Sequence, residues 1–180
     1  MNKKTWLRIL VPVMIVAIAG GLYLLKNHQE RQKAQEQLQV AGDPALVLEE
    51  MSFDLKAYQA HQLPLILDFG AEECGPCQIM RPDLEQAHAQ TLGRAVIKFF
   101  DVWKRPELAA DYPVRVIPSQ VILYPDGRPY VPSEAVQAAG LQFAIFDHIE
   151  TGEHALTMHE GILTLQDFML ILNDMGMAST

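Results

Sequence analysis

The chain has 180 residues, 49% of them hydrophobic, and a formal net charge of −8. Less a hydrophobic N-terminus, that length makes one domain with its own core, and the composition excludes a disordered chain. The acidic balance excludes general nucleic-acid binding, which needs a basic footprint, and two cysteines are too few for a disulfide scaffold.

Lys3, Lys4 and Arg8 precede an uncharged run from Ile9 to Leu25. At about 1.5 Å per residue that run covers roughly 25 Å, close to the minimum for crossing a bilayer. Trp6 and Tyr23 lie near its ends, where amphipathic rings favour the interface. Ala17-Ile18-Ala19 before Gly20 would also serve as a signal-peptide cleavage site. The apolar run continues through Leu22, Leu24 and Leu25, which favours a retained anchor. Either reading exports the rest of the chain. The expected organisation is a cytoplasmic N-terminus over 1–8, a transmembrane anchor over 9–25, a linker over 26–45 and an α/β domain over 46–180. The linker is rich in Gln, Glu and Lys and has almost nothing to bury.

Within the domain, Leu46-Val47-Leu48 is a short strand candidate, and Phe53 to His61 has a helical pattern with Ser52 as its N-cap. Leu65 to Phe69 is an apolar run that suits a buried strand, interrupted by Asp68. Cys77 to Leu92 places Ile79, Met80, Leu84 and Ala87 on one side of a helix. Ala95 to Phe100 is a further strand, Pro106 to Tyr112 a short helix, and Val116 to Tyr124 a strand closed by the turn Pro125-Asp126-Gly127. Ala155 to His159 is expected as a last edge strand. Leu165 to Met175 is an amphipathic closing helix, with Gly176 as its stop. Alternating strands and helices imply a central sheet with helices on both faces.

The chemistry concentrates at Cys74-Gly75-Pro76-Cys77. Two cysteines two residues apart, where a strand hands over to a helix, can close a small disulfide. A helix N-terminus supplies free N–H groups and a positive dipole end, which favour a thiolate at Cys74. Cys77 lies one turn further in and can attack a mixed disulfide formed by Cys74. Pro76 suits the first helical turn. A purely structural disulfide would close too short a loop to stabilise much. Zinc needs four ligands, and no second cysteine pair exists. The Gly-Pro insert and the lead-in Glu72-Glu73 place the pair at a surface turn. Asp68 sits in a strand covered on both faces, so its carboxyl is expected to be buried, to titrate high, and to accept a proton near Cys77.

Leu67-Asp68-Phe69-Gly70-Ala71-Glu72-Glu73-Cys74-Gly75-Pro76-Cys77 resembles the active-site segment of the thioredoxin family. Pro82 matches a helix proline five residues after the second cysteine, and Ile117-Pro118-Ser119 resembles a segment whose proline is cis in that family. The similarity covers roughly Leu46 to Gly176. It implies a thioredoxin fold, a central mixed sheet flanked by helices, here with an insertion before the last strand. It implies a thiol–disulfide oxidoreductase with Cys74, Cys77 and Asp68 as catalytic residues. Gly75, Pro76, Ile117 and Pro118 would bind substrate, the backbone of Ile117 pairing with a docked strand. No cofactor and no metal are implied. Anchor plus domain resembles the extracytoplasmic branch of the family, whose members take electrons from a membrane thiol carrier and reduce disulfides of exported proteins, for instance in cytochrome maturation. A tethered binding or redox-sensing module without turnover is the alternative.

Some positions depart from the family pattern. Glu73 stands for a tryptophan, Gly70 for another aromatic residue, and Gln78 for a common lysine. At about 6 Å in water, carboxylates at Glu72 and Glu73 would each oppose ionisation of Cys74 by roughly half a pKa unit. The stretch from Tyr130 to Leu156 is longer than the family's usual link and is expected as a surface insertion packed on the domain. It holds Val131-Pro132-Ser133, Phe143, Phe146 and His148. The spacing of His148, His154 and His159 fits no familiar metal site.

Overall fold

Asp68, Gln120 and His159 fall in one row across a five-stranded sheet, and the way the strands assemble sets that row. The computed structural model describes residues 42–49 and 52–178. Among these, no helix is long and apolar enough to cross a membrane. The expected anchor over 9–25 lies outside the described residues.

Five strands, β1 (Leu65–Gly70), β2 (Val96–Asp101), β3 (Ser119–Leu123), β4 (Phe143–Asp147) and β5 (His154–Glu160), form one mixed sheet in the order β2-β1-β3-β5-β4. β1 and β2 run parallel, and every other neighbouring pair is antiparallel. Among the described residues, four α-helices accompany them: α1 (Leu55–Gln59), α2 (Gly75–Thr91), α3 (Glu134–Ala138) and α4 (Leu165–Asp174).

Side chains alternate between the two faces of a strand. Leu65, Leu67 and Phe69 of β1 join Val96, Phe100, Val121 and Tyr58 in one core layer. Ile66 of β1 joins Ile97, Ile122, Met80, Leu84, Phe168 and Ile171 in the other, beneath α2 and α4. Asp68 has the same parity as Ile66 and therefore lies on the α2 side.

Three sequence expectations are corrected in position. Leu46-Val47-Leu48 is not a strand. Asp43 caps a 3-10 turn over Pro44–Leu46, its Oδ1 accepting from the Ala45 N–H at 2.9 Å. The buried Lys98 ammonium takes the carbonyls of Pro44 and Val47 at 3.0 and 2.6 Å. Only the single parallel bridge Glu49–Phe99 survives of a ladder there. The cap of α1 is Asp54, not Ser52, because Asp54 Oδ1 reaches the Ala57 N–H at 3.0 Å. The segment from Pro106 forms only a 3-10 turn, Pro106–Ala109.

The strand near Ala155 is corrected in rank. β5 is not an edge, because β4 pairs along its outer side. The stretch read as a surface insertion thus supplies a strand of the sheet as well as α3. It is tied to the last helix by Asp174, whose Oδ2 accepts from the Tyr130 hydroxyl at 2.5 Å and the Ser133 N–H at 3.1 Å. The closing helix begins with a reciprocal capping box between Thr164 and Asp167, and Gly176 comes just past its end at φ 83°.

Candidate active site

β1 delivers the chain to the site and α2 receives it. Cys74 is the N-cap of α2, and its Sγ accepts from the Cys77 N–H at 3.3 Å. The two cysteines are joined in a disulfide, with Cα atoms 5.2 Å apart. Gly75 and Pro76 fill the first helical positions and are exposed. The cysteines themselves are not at the surface in the way the turn residues suggested: each is only 5% exposed. The wall that covers them comes from Ala71 and Ile117. Pro82 lies inside α2 and cannot donate a helical N–H.

The Ile117–Pro118 peptide bond is cis. The carbonyl oxygen of Ile117 stands 3.7 Å from Cys74 Sγ. β3 therefore begins at Ser119, three residues later than the apolar run implied. The loop before it is held by the Ser119 hydroxyl, which donates to the Val116 carbonyl at 2.8 Å.

Beneath the disulfide lies Asp68, fully buried. Its Oδ1 accepts from Gln120 Nε2 at 2.7 Å. Its Oδ2 has no hydrogen-bond partner among the described residues. A methyl group on Gly70 would stand 3.6 Å from that Oδ2 and 3.4 Å from Cys77 Sγ, so carboxylate and sulfur both border the space next to Gly70. The same methyl group would collide with Phe99 at 2.8 Å. Phe99 thus occupies room that a side chain at 70 would need, and this accounts for glycine there. Burial pushes the Asp68 carboxyl up to about 7, against the opposing pull of the Gln120 N–H and the Arg81 charge. The Arg81 guanidinium lies 4.8 Å from the centre of the Phe99 ring and is ion-paired with Glu49 and Glu85.

Gln120 and His159 carried no site role on the sequence alone. His159 Nδ1 donates to Gln120 Oε1 at 2.8 Å, and register completes the row Phe99–Asp68–Gln120–His159–Phe143 across all five strands. The signal for Gln120 was present: it is the one amide in an otherwise apolar strand interior, the same anomaly that marked Asp68. Around the rim, Glu72 is ion-paired with Lys104, so one of the two carboxylates expected to oppose Cys74 is partly offset. A cavity of about 330 Å³ opens beside Cys77, lined by Ala71, Glu72, Gln78, Arg81 and Phe99. Among the described residues, no group of three or more His, Cys, Asp or Glu is placed to hold a metal ion.

Comparison with known proteins gives a consistent result. The thioredoxin family model matches residues 44–150. A thioredoxin of Staphylococcus aureus is 40% identical over 80 residues, which is 44% of this chain and 73% of that protein. A thioredoxin-like protein of Synechocystis is 36% identical over 76 residues, 42% of this chain and 71% of that one. The crystal structure of a chloroplastic thioredoxin z superposes with a TM-score of 0.50 at 22% identity, covering 72% of this chain and 94% of the other, a likeness of fold.

Proposed function

The chain belongs to the thioredoxin family and is a thiol–disulfide oxidoreductase, and we propose that it reduces disulfides of exported proteins from a membrane tether, using Cys74 as nucleophile and Cys77 as resolving thiol. The observation that carries this reading is the cystine at the N-terminus of α2, with the Ile117 carbonyl beside one sulfur and the free oxygen of Asp68 near the other.

On this reading each group has a step. In the reduced protein the Cys77 N–H and the dipole end of α2 stabilise a thiolate on Cys74 Sγ. That thiolate attacks one sulfur of the substrate disulfide, and the substrate's other sulfur leaves with the bonding electron pair. Cys77 then gives its thiol proton to Asp68 Oδ2 and attacks Cys74 Sγ. The Cys74–Cys77 bond forms, the mixed disulfide breaks, and the reduced substrate departs as a thiolate that water protonates. Two electrons have passed from the cysteine pair to the substrate. A thiol donor, which we take to be a membrane electron carrier, returns the pair to its reduced form by the reverse exchange and is itself oxidised. A docked substrate strand lies against Gly75, Pro76, Ile117 and Pro118, and cytochrome maturation is one process that needs such a reductase. The basic and apolar pattern of residues 1–25 supports the tether and an extracytoplasmic domain.

Repeated turnover is the test. With dithiothreitol as donor, the full chain should reduce a disulfide protein catalytically, Cys74→Ser should abolish this, and Cys77→Ser should accumulate a trapped mixed disulfide. A single stoichiometric exchange without turnover would leave a redox-sensing module instead. Protease accessibility of the domain in intact cells, before and after the outer face is opened, tests the placement.

A further inference from the structure

The row beneath the cystine contains two polar residues that these steps do not use. Gln120 is fully buried and His159 is 7% exposed. A buried amide and a buried imidazole cost free energy unless they are paired. Here the pairing is directional. Gln120 Nε2 donates to Asp68 Oδ1 at 2.7 Å and to the Gly161 carbonyl at 3.3 Å, with Met80 Sδ at 3.6 Å. Gln120 Oε1 accepts from His159 Nδ1 at 2.8 Å. Turning the amide over would set its oxygen against two other acceptors, the Gly161 carbonyl and Asp68 Oδ1. The Gly161 carbonyl and Asp68 therefore fix the orientation of the amide, and Oε1, which can only accept, selects the His159 tautomer that carries its proton on Nδ1. Asp68 always meets a donor at Oδ1, and Oδ2 is the oxygen left free on the Cys77 side.

We propose that Gln120 is a positioning residue for proton transfer at Cys77, and that His159 is the clamp that holds it in place. Together they fix Oδ2 of Asp68 as the accepting oxygen and set how readily that carboxyl takes the proton. The inference rests on the role of Asp68 proposed above. The charged and titratable groups around the row are few. Arg81 of α2 acts on Asp68, and the Cys77 sulfur borders it from the same helix. Asp167 of α4 and Glu160 of β5 act on His159, but burial outweighs them and lowers its pKa. The imidazole is thus neutral at neutral pH, with its one N–H committed to Gln120. The ring of Phe143 packs on it at 6.0 Å between centroids. β4, the strand contributed by the longer connection, therefore closes the outer end of the row, which gives that connection a part in the site.

The test separates the clamp from the carboxylate. In the full chain carrying 13C-labelled aspartate, the Asp68 carboxyl resonance is identified by its loss in Asp68→Asn, and its titration midpoint is tracked by NMR beside the pH profile of mixed-disulfide resolution. Gln120→Leu removes the donor to Oδ1 and should raise the midpoint by about one pH unit, with the resolution profile moving the same way. His159→Phe should raise it less, and His159→Gln, which keeps a donor, should restore the parent value. A folded Gln120→Leu protein with the parent midpoint and profile would overturn the proposal. Should that variant not fold, identical midpoints in His159→Phe and His159→Gln would overturn it equally. The role of Asp68 is judged apart: a pH-dependent step that survives unchanged in Asp68→Asn removes that role, wherever the carboxyl midpoint lies.

Discussion

Asp68 is an acid whose proton is held more tightly in the folded chain than in the unfolded one, and this gives its burial a thermodynamic signature. Its carboxyl is pushed from an ordinary 3.8 up to about 7 by burial. A folded pKa above the unfolded one means that the native state binds the extra proton. The resulting stabilisation is complete below about pH 4, where both states are protonated, and is lost as pH rises toward 7. A shift of this size corresponds to about 4 kcal/mol across that window. Urea unfolding of the oxidised protein at pH 4, 6 and 8 should show the loss, and Asp68→Asn should flatten it and be the more stable protein at pH 8. Parallel pH curves for the two would mean that Asp68 ionises as freely folded as unfolded. The two cysteines offer a second measurement at this scale. Both are 5% exposed, so accessibility does not rank them. The Cys77 N–H at 3.3 Å from Cys74 Sγ does. After reduction, brief alkylation and mass mapping should find Cys74 modified at least tenfold faster, and preferential labelling of Cys77 would reverse their roles.

Among the elements, what could be seen in the sequence and what could not divides by range. The cysteine motif, Pro76 and Asp68 were legible because each is a local pattern, set by a turn, a helix start or an odd residue in an apolar run, whereas the cis bond at Ile117–Pro118 was implied only by the resemblance to the thioredoxin family. The partners of Asp68 were not, because they are fixed by register: Gln120 opposes Asp68 and His159 opposes Gln120 only once three strands are aligned. β5 was read as an edge for the same reason. Nothing local to His154–Glu160 announces that Phe143–Asp147 will pair outside it. The turn at Pro44 escaped because its carbonyls are turned to the Lys98 ammonium, more than 50 residues away. The added strand carries a prediction. Phe143 packs on the His159 ring from β4, so Phe143→Ala should cost about 2 kcal/mol, less than a fully buried phenylalanine. It should also let the His159 pKa climb back toward its ordinary value as solvent reaches the imidazole. Chemical denaturation reads the first and the imidazole proton resonances the second. A lost contact without any change at His159 would show that β4 supports the sheet but does not seal the row.

For the molecule as a whole, the charge around the cystine bears on the direction in which electrons move. Potentials of thioredoxin-fold proteins run from about −270 to about −120 mV, the oxidising end arising when the reduced form is strongly stabilised. That stabilisation needs a very acidic nucleophilic thiol, hence several donors or cations aimed at one sulfur. Among the described residues, Cys74 Sγ has one N–H, from Cys77, and the dipole end of a helix. Lys104, beside Glu72 on this rim, is spent on Glu72 and Asp101. Glu73 is exposed next to Cys74 with no ion-pair partner among the described residues, and the chain as a whole carries −8. Each of these withholds stabilisation from the thiolate, and Asp68 below adds a further negative charge whenever it is ionised. The reduced protein should therefore give up its electrons readily, with a potential closer to about −270 than to about −120 mV. Equilibration of the full chain in glutathione buffers of fixed ratio, with the thiols trapped and counted by mass, measures it. Glu73→Lys should move the value toward the oxidising end, since it exchanges a repulsive charge for an attractive one beside the thiolate. A parent potential near about −120 mV would make the protein a donor of disulfides, and the reductase role proposed for it would fall with the electrostatic argument that supports it.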